Sequence, residues 1–116
     1  MEKQLYSYKA LITAVYDGDT VTAEIDLGFK IIFTEKIRLL GINAPEVSGK
    51  EKPKGIRSRD ALRELILNKE VFVKTEKDRK EKYGRYLGTL FVSKQNQLIN
   101  VNEWLVKNSF AKEVKY

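Results

Sequence analysis

Three short segments of the chain carry residues that suit the chemistry of a phosphodiester and a hard cation. They are Asp17-Gly18-Asp19-Thr20, Arg38-Leu39-Leu40-Gly41-Ile42-Asn43-Ala44-Pro45-Glu46 and Lys82-Tyr83-Gly84-Arg85. Together they bring guanidinium groups and the oxygens of carboxylate and amide side chains next to predicted strand ends. Guanidinium offers paired N–H donors that match phosphate oxygens, and hard cations prefer oxygen ligands. We therefore take these segments as the candidate functional site.

The composition excludes most other catalytic groups. The 116 residues contain no histidine and no cysteine, which rules out imidazole bases, thiolate nucleophiles, disulfides and zinc–thiolate sites. Catalysis must then use carboxylate, lysine, tyrosine or hydroxyl groups, or a metal bound through oxygen. Twenty-two Lys and Arg against sixteen Asp and Glu give a net charge of +6, which favours a polyanionic partner. A basic surface that binds nothing remains the alternative on charge alone.

The length predicts one domain over residues 1–116, since a 42% hydrophobic content is enough for one compact core. The chain has no run of about eighteen apolar residues, and residues 1–10 lack the basic start and apolar stretch of a secretory signal. We therefore expect a soluble monomer without a membrane partner. Whether a leader peptide was removed from a secreted precursor stays open.

Alternating apolar residues predict a long hairpin that begins directly after Asp19. A period of two runs over residues 20–27 and resumes over residues 29–39. Arg38 lies between two apolar positions of this pattern, so its side chain is expected to point away from the apolar interior.

The other predicted elements complete a small barrel. A stripe of apolar and small residues over positions 58–66 predicts a helix, and Asn100 with Glu103 predicts the cap of a second one. A charged loop is expected over residues 47–55. Further strands are predicted at residues 8–15, 71–75 and 86–92. This order of three strands, helix, two strands and helix fits an OB-fold, although another small α+β barrel would show the same count.

From the residues alone, each segment also has a purely structural interpretation. Asp17-Gly18 is a preferred hairpin pair, Ala44-Pro45 is typical of a strand exit, and Tyr83-Gly84 is typical of a turn. An exposed glutamate is usually only solvated, and single arginines often form salt bridges. The argument for chemistry therefore depends on the segments occurring together.

The three segments resemble the staphylococcal nuclease (thermonuclease) family in order and in approximate separation, over about residues 11–112. The resemblance implies an α+β, mainly β structure: an OB-fold with a five-stranded Greek-key barrel and two or three helices. It also implies a calcium-dependent endonuclease that hydrolyses DNA and RNA with little sequence preference and leaves 3′-phosphates.

The resemblance assigns the calcium ligands to Asp19, the side chain of Asn43 and the backbone carbonyl of Ala44. Well-known members have aspartate where this chain has Asn43, so the site loses one negative charge. We therefore expect weaker calcium binding than Asn43→Asp would give. The usual threonine is replaced by Ala44, which matters less because the ligand there is the backbone.

The resemblance also assigns the catalytic and substrate-binding residues. Arg38 and Arg85 would form an electrostatic clamp on the phosphate, and Glu46 would be the general base or the group that positions the attacking water. By the same resemblance, Lys82 and Tyr83 would contact a phosphate next to the scissile one.

The resemblance is less complete at the C-terminal end. Matching Phe110-Ala111-Lys112 to the family places Lys115 where a tyrosine stacks on a base, with Tyr116 one residue beyond. Well-known members continue into a third helix after this point. We take both residues as substrate-binding candidates.

Two rival functions remain open. Related folds often keep the scaffold after losing the active site, so a non-catalytic nucleic-acid or protein-binding module is the first alternative. Such a module is expected to lack Arg38, Glu46 or Arg85, and all three are present. A basic structural domain that binds neither metal nor nucleic acid is the second alternative.

Overall fold

The structure, a computed structural model, describes residues 6–80 and 82–114, with the backbone alone for residues 77–80. A 3₁₀ turn at Gly49–Glu51 leads into the first helix. The elements follow one another as β1 Ser7–Asp17, β2 Thr20–Asp26, β3 Ile32–Leu39, β4 Ile42–Asn43, α1 Lys52–Ile66, β5 Glu70–Lys80, β6 Tyr86–Lys94, β7 Gln97–Asn100, α2 Val101–Lys107 and β8 Lys112–Glu113.

In the described ranges, five of the strands close into a barrel. β1 pairs antiparallel with β2 and with β5, β2 pairs with β3, and β5 pairs with β6. A parallel pairing of β3 with β6 closes the barrel, with Ile37 opposite Tyr86 and Leu39 opposite Gly88. β7 extends the sheet beside β6, and β4 pairs with β8. This mixed, mainly β barrel confirms the predicted OB-fold.

The barrel interior contains the apolar positions of the alternating strands. Ile37 and Leu39 are fully buried, as predicted, which leaves Arg38 between them on the outer face. Leu62 and Ile66 of α1 are also fully buried and join the same core, confirming the predicted helical stripe. Burial of this apolar surface is the main force that holds the barrel and α1 together.

The turn of the β2–β3 hairpin departs from the predicted alternation. Gly28, Phe29 and Lys30 have positive φ angles of 80°, 56° and 64°, and β3 begins only at Ile32. A left-handed backbone cannot continue an extended strand, so the predicted strand over residues 29–31 is wrong. Phe29 is therefore 95% exposed rather than part of the interior.

The loop predicted at residues 47–55 is shorter than expected. Residues 47–55 contain the 3₁₀ turn and the start of α1 at Lys52. Pro53 lies in the first turn of this helix, where a backbone N–H has no intrahelical partner. β5 continues through residues 77–80, although their charged composition predicts a loop.

Helix α2 begins as the predicted cap requires. The Glu103 N–H donates to Asn100 Oδ1 at 3.1 Å. The amide of Asn102, which is 4% exposed, accepts from the Leu90 N–H and donates to the Leu40 carbonyl. These bonds fasten α2 to β6 and to the chain that enters β4. Within the described residues, neither helix has the length and apolar character needed to cross a membrane.

Candidate functional site

The tight turn between β1 and β2 carries the first candidate residues. The Asp19 N–H donates to Asp17 Oδ1 at 3.0 Å, so the two aspartates stabilise the turn. A Cβ on Gly18 would lie 2.7 Å from Ala44 Cβ and 2.9 Å from Ser58 Cβ. The turn is therefore in close contact with both the exit of β4 and helix α1, and only glycine fits there.

The Asp19 carboxylate is buried, and each of its oxygens has a donor. The residue is 5% exposed. Thr20 Oγ1 donates to Oδ1 at 3.1 Å, and the Ala44 N–H donates to Oδ2 at 2.7 Å. The second bond joins the β1–β2 turn to the segment after β4. It places Asp19 beside the backbone of Ala44, whose carbonyl is another predicted calcium ligand.

Arg38 lies between two of the predicted ligand oxygens. Its Nη2 atom is 3.4 Å from Asp19 Oδ2 and donates to Asn43 Oδ1 at 3.1 Å. Its Nη1 atom donates to the Leu39 carbonyl at 3.1 Å. The side chain is 14% exposed, so the guanidinium is held by these contacts while one edge meets solvent. Asp19 and Asn43 thus converge on one cationic group.

The pKa of Asp19 is raised from 3.8 to about 6, and burial of the carboxylate is the largest cause. A side-chain hydrogen bond with Asp17 and the negative charge of Asp17 contribute to the same rise. The Ala44 N–H and the Arg38 guanidinium lower it, but by less than the loss of water raises it. Asp19 therefore changes its charge near pH 6, although it forms an ion pair.

Arg85 also lies close to Asp19, although it comes from the segment before β6. It precedes Tyr86, which lies opposite Ile37 in the parallel β3–β6 pairing. Its Nη1 atom donates to Thr20 Oγ1 at 3.3 Å. The Thr20 hydroxyl, which itself donates to Asp19, therefore connects Arg85 to the carboxylate.

An exposed aromatic ring lies beside Arg85. The Arg85 guanidinium carbon is 5.4 Å from the centroid of the Tyr83 ring, and Lys82 Nζ is 5.0 Å from it. Tyr83 is 72% exposed. The predicted substrate contacts Lys82 and Tyr83 thus form one cation–aromatic cluster with Arg85 at the edge of the site.

Glu46 lies two residues beyond Ala44, and its carboxylate faces solvent. Its N–H donates to Glu51 Oε1 at 3.3 Å. A Cβ on Gly55 would lie 1.9 Å from the Glu46 carbonyl oxygen, so α1 is in direct contact with this backbone. Within the described residues, no hydrogen bond or ion pair joins the Glu46 carboxylate to Asp19 or Arg38.

The oxygens around Asp19 are of the kinds that bind a hard cation. Asp19 Oδ2 and Asn43 Oδ1 both contact Arg38 Nη2, and the third donor is the carbonyl of Ala44, whose N–H binds Asp19. Calcium accepts such carboxylate, amide and carbonyl oxygens. The described residues contain no group of three or more acidic, histidine or cysteine side chains that could hold a metal. The donor set therefore fits calcium, with little negative charge to attract it.

The contacts thus bring together five of the ten site residues predicted from the sequence. Those joined to one another are Asp19, Arg38, Asn43, Ala44 and Arg85. Glu46, Lys82 and Tyr83 lie at the margin, and Lys115 and Tyr116 fall outside the described residues. The functional roles of all these residues stay predictions.

The sequence does not reveal the part played by Thr20. The residue is 4% exposed and contacts both Asp19 and Arg85. Its polar position in the strand alternation predicts an outward side chain, but not one covered by an arginine from a distant strand. Its place directly after Asp19 is the only signal for it in the sequence.

A groove of about 460 Å³ adjoins this site without including its charged centre. Its lining includes Asn43 and Ala44 but not Asp19, Arg38 or Arg85. We therefore place the chemistry at the Asp19 cluster rather than in this larger groove.

Comparisons with known proteins agree with the fold. A sequence profile described as staphylococcal nuclease homologue matches residues 36–116. An uncharacterised protein of Methanocaldococcus jannaschii is 31% identical over 126 residues, which cover 90% of this chain and 58% of that protein. The thermonuclease of Staphylococcus hyicus is 27% identical over 113 residues, covering 95% of this chain and 60% of that protein. This chain thus spans about three fifths of the length of each relative, and it belongs to the family of staphylococcal nuclease homologues.

Proposed function

We propose that the protein is a calcium-dependent endonuclease that hydrolyses phosphodiester bonds of DNA and RNA as a monomer, with little sequence preference. The observation that carries this proposal is the contact of Arg38 Nη2 with both Asp19 and Asn43. Anion-binding and cation-binding groups are therefore neighbours. Membership of the nuclease homologue family supports the same function.

The two arginines would bind the phosphate that is attacked. The non-bridging oxygens gain negative charge in the transition state, and the guanidiniums of Arg38 and Arg85 offer paired donors to it. Both are already close to Asp19, directly or through Thr20. Substrate binding would draw Arg38 from Asp19 and Asn43 towards the phosphate.

Glu46 would orient the attacking water and accept its proton. A new P–O bond then forms as the bond from phosphorus to the 5′ oxygen breaks. The leaving 5′ oxygen takes a proton from solvent to become a hydroxyl, and a 3′-phosphate remains. Among the described residues no hydrogen bond or ion pair engages the exposed carboxylate, and α1 and Glu51 hold its backbone. General-base assistance of this kind contributes about 10²–10⁴ in rate.

Asp19, Asn43 and the Ala44 carbonyl would hold calcium. When bound, the ion supplies Lewis-acid polarisation of a phosphate oxygen and a template for the substrate. Because only one of these ligands is charged, the affinity should be low for a nuclease of this kind.

The decisive experiment is cleavage of plasmid and single-stranded DNA and RNA with calcium, and with a chelator. We expect chelator-sensitive cleavage that falls by about 10²-fold or more in Glu46→Gln. Glu64→Gln is the matched control, because Glu64 is an exposed glutamate on α1. Calcium-independent cleavage, or equal rates in both variants, would contradict the proposed mechanism.

One observation favours a non-catalytic binding module as the second candidate. The donors of Arg38 are engaged by Asp19, Asn43 and a backbone carbonyl, and the cation site has one carboxylate. Tight binding of nucleic acid without cleavage at any calcium concentration would establish this candidate instead.

A further inference from the structure

A second cation–aromatic pair lies on the outer face of the barrel, apart from the predicted site residues. Lys36 Nζ is 4.9 Å from the centroid of the Tyr16 ring. Thr22 Oγ1 donates to the Tyr16 hydroxyl at 3.0 Å. The ring is 45% exposed and Lys36 is exposed. The tyrosine is therefore held across β2, with an accessible ring and a cation beside it.

The strand register places this pair next to the candidate site. Thr20 lies opposite Arg38, and Thr22 lies opposite Lys36. Because successive side chains alternate between faces, Lys36 and Arg38 share the outer face at a separation of roughly 7 Å along β3. One nucleotide of an extended strand can span such a distance.

The next positions along the strands limit this basic surface. Beyond Thr22, the outer positions of β2 are Glu24 and Asp26, which are both exposed. These carboxylates repel phosphate, so the surface favourable to a nucleic-acid strand ends after Lys36. The available length corresponds to one nucleotide next to the phosphate at Arg38.

An accessible aromatic ring beside a cation is the combination that binds single-stranded nucleic acid without sequence preference. The ring stacks on any base, and the cation binds the backbone phosphate. The hydrogen bond to Thr22 limits the freedom of the Tyr16 ring before binding, which reduces the entropy lost when a base stacks on it.

We propose that Tyr16 and Lys36 form a substrate subsite for the nucleotide adjacent to the scissile phosphate, with Lys36 on its phosphate and Tyr16 stacked on its base. The inference rests on one part of the proposed function, namely that the protein binds nucleic acid. It requires neither calcium nor catalysis.

The test compares thymidine oligonucleotides of two and eight nucleotides, bound in a chelator so that none is cleaved. The dinucleotide has a single phosphate, which would bind at Arg38. It therefore has no phosphate left to contact Lys36. Affinities come from competition with a fluorescent octanucleotide at several salt concentrations. The variants are Lys36→Gln, Tyr16→Ala and Tyr16→Phe, with Lys94→Gln as control. Lys94 is an exposed lysine at the end of β6, roughly 26 Å along the strand from Tyr86.

We expect Lys36→Gln to weaken octanucleotide binding by about three- to tenfold and to reduce the salt slope by about 0.7. Tyr16→Ala should weaken it by about tenfold, whereas Tyr16→Phe, which keeps the ring, should remain within about twofold. Dinucleotide binding should be unaffected by Lys36→Gln, and Lys94→Gln should match the wild type.

The proposal is overturned if Lys36→Gln and Lys94→Gln bind the octanucleotide equally, or if Lys36→Gln weakens the dinucleotide as much as the octanucleotide. Wild-type protein that cleaves DNA while these variants behave normally removes the subsite and leaves the proposed function standing. Wild-type protein that binds no oligonucleotide removes both.

Discussion

At the scale of single residues, Asp19 makes the stability of the protein depend on pH. Burial raises its pKa from the ordinary 3.8 to about 6. The folded protein therefore retains this proton to a higher pH than the unfolded chain does. The associated stability is fully present below about pH 4 and is lost as the pH rises through about 6. Relative to wild type, Asp19→Asn should gain up to about 3 kcal/mol of unfolding free energy between pH 4 and pH 7.

Urea denaturation in a chelator, at pH 4, 5, 6 and 7, measures this difference between Asp19→Asn and the wild type. Asp60→Asn serves as the control, because the Asp60 side chain is 58% exposed. A difference for Asp19→Asn that stays constant across this pH range would show that Asp19 titrates normally.

The two arginines of the site should tolerate lysine poorly. Lysine keeps the positive charge but loses the planar fork that grips a phosphate. We expect Arg38→Lys and Arg85→Lys each to lower kcat/KM for oligonucleotide cleavage by more than about tenfold. Arg59→Lys is the matched control, since Arg59 pairs with its neighbour Asp60 on α1. Turnover close to that of the wild type in either variant would remove that arginine from the mechanism.

The amide at position 43 should set the calcium requirement. Asn43→Asp adds a carboxylate where Asn43 Oδ1 now meets Arg38 Nη2 at 3.1 Å. Affinity for calcium rises with the number of charged ligands, so half-saturating calcium should fall by about tenfold. Calorimetric titration of calcium, with the calcium dependence of cleavage beside it, measures this change. Asn96→Asp adds the same charge at a distant turn, and an equal effect there would refute the local electrostatic account.

At the scale of elements, α1 positions the catalytic candidate through a glycine. A Cβ on Gly55 would lie 1.9 Å from the Glu46 carbonyl oxygen and 2.8 Å from the Val47 nitrogen. Neither backbone atom can yield as a flexible side chain would. We expect Gly55→Ala to lower the free energy of unfolding by about 2–4 kcal/mol and to reduce cleavage, because Glu46 must shift.

Thermal denaturation and cleavage rates of Gly55→Ala test this contact, with Lys52→Ala as an exposed control on the same helix. If Gly55→Ala is as stable and as active as Lys52→Ala, then α1 does not hold the Glu46 backbone as described.

The same contacts explain how far the sequence predicts the structure. Alternation along β2 and β3 predicts that Arg38 lies outside the barrel near Asp19, because a hairpin register is a local property. The hydrogen bond from Arg85 to Thr20 depends on the parallel pairing of β3 with β6. The alternation of apolar residues within a strand does not predict which distant strand pairs with it. In the same way, the sequence places Gly55 in a loop, and its role becomes visible only when α1 is placed against Glu46.

The burial of the polar Asn102 side chain could not be predicted from the sequence either, and the reason is physical. Asn102 is a helical asparagine whose three partners are backbone groups on other elements, so nothing in its own segment marks it as buried. In contrast, the Asn100 cap bonds to the N–H three residues ahead, and it is predictable from spacing alone.

At the scale of the whole molecule, the net charge is +6. We expect the salt dependence of nucleic-acid binding to come from the cations at the site and not from the entire surface. Lys82, Arg38, Arg85 and Lys36 offer about four phosphate contacts, which predicts a slope of log K against log [salt] near −3 for a single strand. Lys94 and Lys107 are exposed. Lys94 lies well beyond the Debye length of about 10 Å at 0.1 M salt.

Replacing Lys94 by glutamine should therefore leave this slope nearly unchanged, while Arg85→Gln should reduce its magnitude by about 0.7. Fluorescence anisotropy with a single-stranded octanucleotide measures the slope for each variant at salt concentrations between about 50 and 200 mM. Release of counterions requires a phosphate to lie close to a cation, so a distant lysine changes the overall attraction without changing how many ions leave. A slope that falls equally in both variants would mean that the charge acts diffusely and that nucleic acid has no defined path across the barrel.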